Sequence, residues 1–138
     1  MSAVLKYLLD TNMCIYAMKH HPNVLRRMHQ AGQDCLCVSA IVAAELALGV
    51  ARSATEHRAK NHAALERFLA VIAVQPWSSE AIWDYGQHRQ ELKQAGTPIG
   101  ELDLLIAVHA KVQNLTLVTL NTREFERIEG LKLENWVA

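Results

Sequence analysis

The chain has 138 residues, of which 51% are hydrophobic, so it can bury a sizeable core and form one domain spanning residues 1–138. Lys plus Arg and Asp plus Glu each number 14, and this balance excludes a global basic field of the kind that gathers nucleic acid. Any contact with a polyanion must therefore come from a local patch.

Hydrophobic runs and breaker residues divide the chain into alternating strands and helices. Strands are predicted at residues 4–9, 35–38, 71–74, 115–119 and 131–136. Helices are predicted at residues 13–19, 23–30, 40–51, 54–70, 79–94 and 101–113, with a short helical turn at 121–127. This alternation is typical of a three-layer α/β/α fold with a central, mostly parallel sheet.

Three carboxylates stand at the borders of apolar runs or inside them. Asp10 closes the first strand, Glu45 lies within the run 41–48, and Asp103 opens the run 104–108. A carboxylate removed from water is costly unless it is paired or binds a metal. A divalent cation shared by all three is the simplest explanation.

The predicted fold permits these acids to meet. In parallel sheets, ligands bind beyond the carboxyl ends of the strands. Asp10 and Asn121 each follow the end of a predicted strand, and Asp103 falls in the first turn of a helix. Glu124 lies within reach of the same crevice, although its acidic surroundings fit a solvated face equally well.

Each acid also has a simpler explanation. Asp10 can serve only as a turn former or helix cap, and Asp103 can serve only the helix dipole. Glu45 best distinguishes a metal site from a purely structural role, because it lies mid-helix and no Lys or Arg stands three or four positions away to pair with it. Its remaining alternative is a solvated boundary position. His109, in an apolar helical run, is expected to be partly buried and hydrogen-bonded rather than a ligand.

The cysteines and the apolar runs indicate the compartment. Cys14, Cys35 and Cys37 include no Cys-x-x-Cys pair, which disfavours a zinc site and predicts buried free thiols in a reducing cytosol. The chain start shows no signal-peptide pattern, and no apolar run approaches the roughly 20 residues of a membrane span. We therefore expect a cytoplasmic protein without a membrane partner.

In chain order, these residues resemble the PIN-domain ribonucleases of the VapC toxin type, over nearly the whole chain. The matching motifs are residues 8–12 with Asp10, 39–49 with Glu45, 96–107 with Asp103, and 117–125 followed by 130–136. One motif alone is weak, but four in this order are specific. One departure concerns the fourth acid: many PIN domains have an Asp after the last strand, where this chain has Asn121 and Glu124.

The resemblance implies a central parallel sheet, dependence on Mg²⁺ or Mn²⁺, and endonuclease cleavage of RNA, often tRNA or other structured RNA. It also implies a homodimer, and neutralisation by a small VapB-type antitoxin whose C-terminal segment lies over the acidic pocket. Asp10, Glu45, Asp103 and Glu124 are then the catalytic acids, with Asp10 and Asp103 as metal ligands.

Hard oxygen ligands of this kind suit Mg²⁺. Metal-activated water is expected to attack in line and leave 3′-hydroxyl and 5′-phosphate ends. Thr11, Asn12, Thr119 and Asn121 have the chemistry to support the ligands or to hold a phosphate. A basic helix surface is expected to grip the RNA; it comprises Arg52, His57, Arg58, Lys60, His62 and Arg67, with Arg26 and Arg27 as a second candidate.

Two other functions stay open. The chain can be a PIN-like RNA- or protein-binding module with catalytically weakened acids, which the departure at the fourth acid favours. It can also be a hydrolase of small phosphoesters on a doubly wound fold. An aspartyl-phosphate mechanism is disfavoured, because Asn12 stands where a second Asp is needed two positions after Asp10.

Overall fold

The computed structural model describes residues 4–138, and within them five strands form a single parallel sheet. The strands are β1 (Tyr7–Leu9), β2 (Leu36–Ser39), β3 (Ala73–Gln75), β4 (Thr116–Val118) and β5 (Lys132–Glu134). Their order is β3-β2-β1-β4-β5. The predicted sheet is confirmed, and it is wholly parallel in the described residues.

Seven α-helices accompany the strands in the described part of the chain. They are α1 (Thr11–Met18), α2 (Pro22–Ala31), α3 (Ala40–Ala51), α4 (Thr55–Val71), α5 (Ile82–Gln94), α6 (Glu101–Val112) and α7 (Thr122–Phe125). Short 3₁₀ turns occupy Gln33–Cys35 and Ser79–Ala81. Every predicted element is present. Four of the five strands are shorter than predicted, because apolar side chains continue beyond the residues that pair, whereas β2 has the predicted length of four residues and lies one position further along the chain.

The helices cover the sheet in layers, which confirms the three-layer α/β/α prediction. Helix α1 packs against α2, α3 and α4, whereas α5 packs against α6, and α6 contacts β4. The central strands are buried on both faces: Leu8, Leu9 and Leu117 are 0% exposed. This double burial explains why the strands are continuous apolar runs rather than alternating ones.

The order of the strands creates a crevice at one edge of the sheet. From β1 the chain moves outward to β2 and β3, and then returns to the other side of β1 as β4. Such a reversal separates the connections above the carboxyl ends of β1 and β4, where ligands bind in sheets of this type. The two strand ends are tied together, since Asp10 N donates to Val118 O at 3.1 Å.

The end of the chain is fastened to α2. Arg27 forms an ion pair with Glu134 at 2.7 Å, and its guanidinium carbon lies 5.5 Å from the centroid of the Trp136 ring. Asn23 donates to the Val137 carbonyl at 2.9 Å. Arg27 therefore has a partner within the chain, and its role in an RNA-binding patch stays a prediction.

Two further predictions about single residues meet the structure here. The thiols are free, as predicted, with Cys14 and Cys37 buried, but Cys35 is only partly buried. His109 was expected to be partly buried and satisfied. It is instead fully buried, and neither ring nitrogen has a hydrogen-bond partner among the described residues. The helical pattern predicts burial of this position but contains no information about its neighbours.

Among residues 4–138, none of the helices combines the length and the apolar character that crossing a bilayer demands.

Candidate active site

Asp10 sits where β1 ends and α1 begins. It caps α1, because its Oδ1 accepts a hydrogen bond from Met13 N at 2.8 Å. The predicted role of Asp10 as a helix cap is therefore confirmed. It is also only 7% exposed. Burial raises the pKa of the Asp10 carboxyl, and the charge of Glu45 raises it further, whereas hydrogen bonds from Thr119 and Met13 lower it. Capping therefore does not explain the whole environment of this acid.

Glu45 projects from the second turn of α3, which Ser39 caps at the end of β2. It is half-buried, and the Thr11 hydroxyl donates to its Oε1 at 2.7 Å. The partner predicted to come from outside the helix is thus provided by α1. This bond fixes Glu45 towards Asp10, and it joins two segments 34 residues apart in sequence.

Asp103 is the third residue of α6, a helix whose N-cap is Gly100. Its Oδ2 lies back over the start of the helix, 3.6 Å from where a Cβ on Gly100 would stand. Burial raises the pKa of the Asp103 carboxyl, and the negative charges of Glu124, Glu45 and Asp10 raise it further, in that order. Three acids from three other segments therefore lie close enough to repel it.

Glu124 belongs to this group. It lies in the short helix α7, is half-buried, and exerts the largest charge effect on Asp103. The exposed-face alternative fits Glu126 and Glu129, which are exposed, but not Glu124. The structure thus brings together Asp10, Glu45, Asp103 and Glu124.

The four predicted polar neighbours divide into two pairs. Thr11 and Thr119 contact the acids: Thr11 donates to Glu45, and the fully buried Thr119 hydrogen-bonds Asp10 while its Oγ1 accepts from Asn121 N at 3.0 Å. The side chains of Asn12 and Asn121 are exposed. They border the acids in sequence but make no recorded side-chain hydrogen bond within residues 4–138.

The donor set suits a hard cation held through few direct bonds. No three acidic, histidine or cysteine side chains of the described residues converge into a ready-made metal cage. Mg²⁺ does not require one, since it usually retains several waters and is bound by one or two carboxylates. Mutual repulsion among buried carboxylates, as seen at Asp10 and Asp103, is what a nearby cation would relieve.

A groove beside the acids has no counterpart in the sequence predictions. It has a cavity volume of about 390 Å³ and runs between α1, α3 and α4. Thr11 and Glu45 line it, together with apolar side chains such as Ile15, Met18 and Leu46 and with Lys19. The groove is formed by the packing of three helices, so no local sequence pattern predicts it.

Comparison with known proteins shows the family of the chain. The model of the family described as "PIN domain" matches residues 7–131, and the chain belongs to the PIN-domain family. The VapC2 ribonuclease of Rickettsia felis is 42% identical over 132 residues, covering 94% of this chain and 97% of the relative. A "tRNA(fMet)-specific endonuclease VapC" from Shigella flexneri is 40% identical over 133 residues, covering 96% and 99%.

A solved structure shows the same fold. The crystal structure of VapBC2 from Rickettsia felis, bound to a DNA fragment from its promoter, aligns with a TM-score of 0.87 at 40% identity. The alignment covers 96% of this chain and 99% of the other. Within the PIN-domain family the chain is therefore an endoribonuclease of the VapC type, the toxin component of VapBC toxin–antitoxin systems.

Proposed function

We propose that this VapC-type ribonuclease is Mg²⁺-dependent and that Asp10, Glu45, Asp103 and Glu124 are its catalytic acids. One observation carries the proposal. Burial raises the pKa of Asp103 in α6, and the charges of three other carboxylates, in α7, in α3 and after β1, raise it further. A fold does not gather like charges without a compensating ligand, because burying unpaired charge is costly.

Asp10 and Asp103 are the metal ligands in this proposal, direct or through water. Burial and neighbouring negative charge raise the pKa of both carboxyl groups, so a bound cation would stabilise the charged form of each. Mn²⁺ can replace Mg²⁺, since both prefer oxygen ligands. When bound, the ion lowers the pKa of a coordinated water and stabilises negative charge on the phosphate.

The remaining residues position the reacting groups. Glu45, oriented by Thr11, holds the attacking water. Thr119, directly after β4, orients the Asp10 carboxyl through its hydroxyl. Glu124 takes the place of the Asp that many PIN domains have after the last strand, and its charge at Asp103 supports this substitution. In this proposal Asn12 and Asn121, whose side chains are exposed, contact a phosphate of the substrate.

The substrate is RNA, most simply a structured RNA such as a tRNA. The Shigella relative is named for cleavage of tRNA(fMet), and at 40% identity over 96% of this chain a related substrate is the natural first test. The RNA is gripped by the basic surface of α4 and its approach, where Arg52, Lys60 and Arg67 are exposed. Cleavage of cellular RNA places the protein in the cytoplasm.

A VapB-type antitoxin and a second copy of the chain are the proposed partners. The solved Rickettsia relative is a VapBC2 complex on promoter DNA, and this chain matches nearly all of that VapC length. In the proposed assembly, residues 1–138 act as one domain, the chain forms a homodimer, and a segment of the antitoxin covers the acidic crevice.

The test is cleavage of total cellular RNA and of purified tRNA by the full chain, with Mg²⁺ or with a chelator. We expect cleavage with Mg²⁺ only, and none from Asp10→Asn. Asp34→Asn is the matched control: Asp34 is exposed and precedes β2, at the opposite edge of the sheet. Cleavage that survives Asp10→Asn would contradict the proposal. RNA binding without cleavage by the wild type would favour the catalytically weakened module, and turnover of small phosphoesters alone would favour the third function.

A further inference from the structure

The loop between α5 and α6 sets the position of Asp103. Residues 97–100 contain neither helix nor strand, and α6 begins directly after them. The loop is held from the α5 side by Thr97 N, which donates to Leu92 O at 2.9 Å. It is held from below by Ile99, which is 8% exposed. Any shift of this loop moves the first turn of α6 and therefore the Asp103 carboxylate.

A third anchor reaches the loop from the segment that carries Glu124. The Nη1 atom of Arg127 donates to the carbonyl oxygens of Thr97 and Pro98, at 3.3 and 3.5 Å. Arg127 lies two residues after the end of α7, and α7 contains Glu124. One guanidinium thus links the segment bearing Glu124 to the segment leading to Asp103.

This link acts against a repulsive force. Asp103 and Glu124 are half-buried acids on the two segments that Arg127 links, and like charges repel each other, so their carboxylates tend to move apart when no cation lies between them. Phe125 and Ile128, both 2% exposed, anchor the α7 segment to the core, whereas Thr97, Pro98 and Gly100 of the loop are exposed. Arg127 ties the loop to the anchored segment.

We propose that Arg127 is a positioning residue, which fixes the separation of the Asp103 and Glu124 carboxylates through the Thr97 and Pro98 carbonyls. This inference rests on the proposed metal-dependent function and adds a residue that tunes the affinity of the acidic site for its cation. Arg127 touches neither the metal nor the RNA in this scheme.

A positioning role and a purely electrostatic role of Arg127 predict opposite effects of its removal on the binding of a divalent cation. A positive charge near an acidic site opposes cation binding, so removing that charge alone would strengthen the binding of a divalent cation. Losing the link would instead let the two acids separate and weaken the binding. Arg123 offers a matched control, because it precedes Glu124 directly and is exposed.

The experiment compares the wild type with Arg127→Gln, Arg127→Lys and Arg123→Gln as full chains. The dissociation constant for Mn²⁺ is measured by titration calorimetry, and the Mg²⁺ concentration for half-maximal RNA cleavage by kinetics. For Arg127→Gln we expect both values to rise by about 3–10-fold, the size expected for net loss of one or two hydrogen bonds. The cleavage rate at saturating Mg²⁺ should stay near that of the wild type. Arg127→Lys keeps one donor group, so its Mn²⁺ affinity should lie between those of the wild type and Arg127→Gln. Arg123→Gln should bind Mn²⁺ as well as the wild type does, or better.

Unchanged or tighter Mn²⁺ binding by Arg127→Gln would overturn the inference, even if its melting temperature falls, since that result assigns Arg127 to stability alone. If Arg127→Gln does not fold, Arg127→Lys decides: wild-type Mn²⁺ affinity in that variant overturns the inference, and weakened affinity supports it. A wild-type chain that binds no Mn²⁺ and cleaves no RNA overturns the proposed function itself, and this inference with it. The two failures are therefore distinguishable.

Discussion

At the scale of single residues, the acids of the crevice oppose the stability of the fold that holds them. Burial and neighbouring charge raise the folded-state pKa of Asp10 and Asp103. A raised carboxyl pKa means that the folded chain binds protons more readily than the unfolded chain. These two acids therefore reduce stability at neutral pH, and the reduction disappears as pH falls below their folded-state pKa values.

This reasoning gives a prediction for Asp103→Asn, which removes the charge and keeps the shape. Without metal, the variant should have a higher melting temperature than the wild type at pH 7, because repulsion from Glu124, Glu45 and Asp10 is lost. Its RNA cleavage should fall at least roughly 100-fold, since a metal supplies several kcal/mol of charge stabilisation. Thermal melts and initial rates provide the measurements. A variant that melts lower and remains active would contradict both parts.

Thr11 offers a second prediction at this scale. Its hydroxyl is the recorded donor to Glu45 among the described residues, and Thr11→Val removes that hydroxyl while keeping the side-chain volume. Loss of a group that orients an active-site residue typically costs about 10–100-fold, so cleavage should fall by that factor with little change in melting temperature. Thr11→Ser retains the hydroxyl and should keep most of the activity. Equal rates for the Ser and Val variants would show that the hydroxyl has no role.

Part of the site could be read from the residues alone. Glu45 stood out because a mid-helix acid among apolar neighbours lacks a local explanation, and Asp10 because a buried strand ends in a carboxylate. The partner of Glu45 could not be predicted, since Thr11 lies 34 positions away and only the packing of α1 on α3 brings them together. The hydrogen bonds from Arg127 to the Thr97 and Pro98 carbonyls could not be predicted either, because they also join segments that are distant in sequence.

At the scale of elements, helix α6 carries both an acid of the candidate active site and a buried histidine that destabilises the fold. Its first turn carries Asp103, and its last turn carries His109, whose two ring nitrogens are buried without hydrogen-bond partners in the described structure. Burial lowers the pKa of His109, so the folded state holds the ring neutral. An unpaired buried polar group costs about 1–3 kcal/mol.

The prediction for this element is that His109→Leu stabilises the protein and changes its pH dependence. At pH 7.5 the free energy of unfolding should increase by roughly 1–3 kcal/mol, because the unpaired nitrogens are removed at similar volume. Below a pH of about 6.5, the unfolded wild type takes up a proton at His109 that the folded wild type resists. Wild-type stability should therefore fall faster with acidification than that of the variant.

Urea unfolding at pH 7.5 and pH 5.0 measures both effects. The acids of the crevice are present in both proteins, so the difference between the two proteins isolates His109. A variant that is less stable than the wild type at both values would mean that the imidazole has a partner that stabilises it.

The boundaries of the elements show what local sequence can and cannot supply. Ser39 and Gly100 stand where helices begin, and α3 and α6 start as predicted. The first strand was predicted to start at residue 4, but β1 begins at Tyr7. Val4 is 70% exposed, and the first backbone bond to a neighbouring segment comes from Lys6 N, which donates to Cys35 O, so a hydrophobic residue need be neither buried nor paired. Helix α1 begins earlier than predicted, at Thr11, since Asp10 acts as its N-cap.

At the scale of the whole molecule, RNA binding must depend on local clusters of basic residues. The chain carries no formal net charge at pH 7, so association with RNA depends on where its cations lie. Lys60 and Arg67 are exposed on α4, a helix that forms one wall of the groove lined by Thr11 and Glu45. An RNA chain held along α4 would approach the acids from the side of α1 and α3.

We therefore expect Lys60→Gln combined with Arg67→Gln to raise the KM for RNA and leave kcat unchanged. Each lost phosphate contact should reduce the slope of log affinity against log salt by about 0.7–0.9. Lys6→Gln combined with Lys93→Gln is the matched control, because it makes the same change in net charge at exposed positions outside α4. Identical salt slopes for both double variants would place the RNA elsewhere on the surface.

The central claim is that distant carboxylates share one cation-binding crevice at the carboxyl ends of β1 and β4. Anomalous diffraction from crystals of the full chain grown with Mn²⁺ tests it most directly. We predict a peak within bonding distance, direct or through one water, of both Asp10 and Asp103, and its loss in Asp103→Asn. A Mn²⁺ peak only at other residues, or none at millimolar Mn²⁺, would contradict the account.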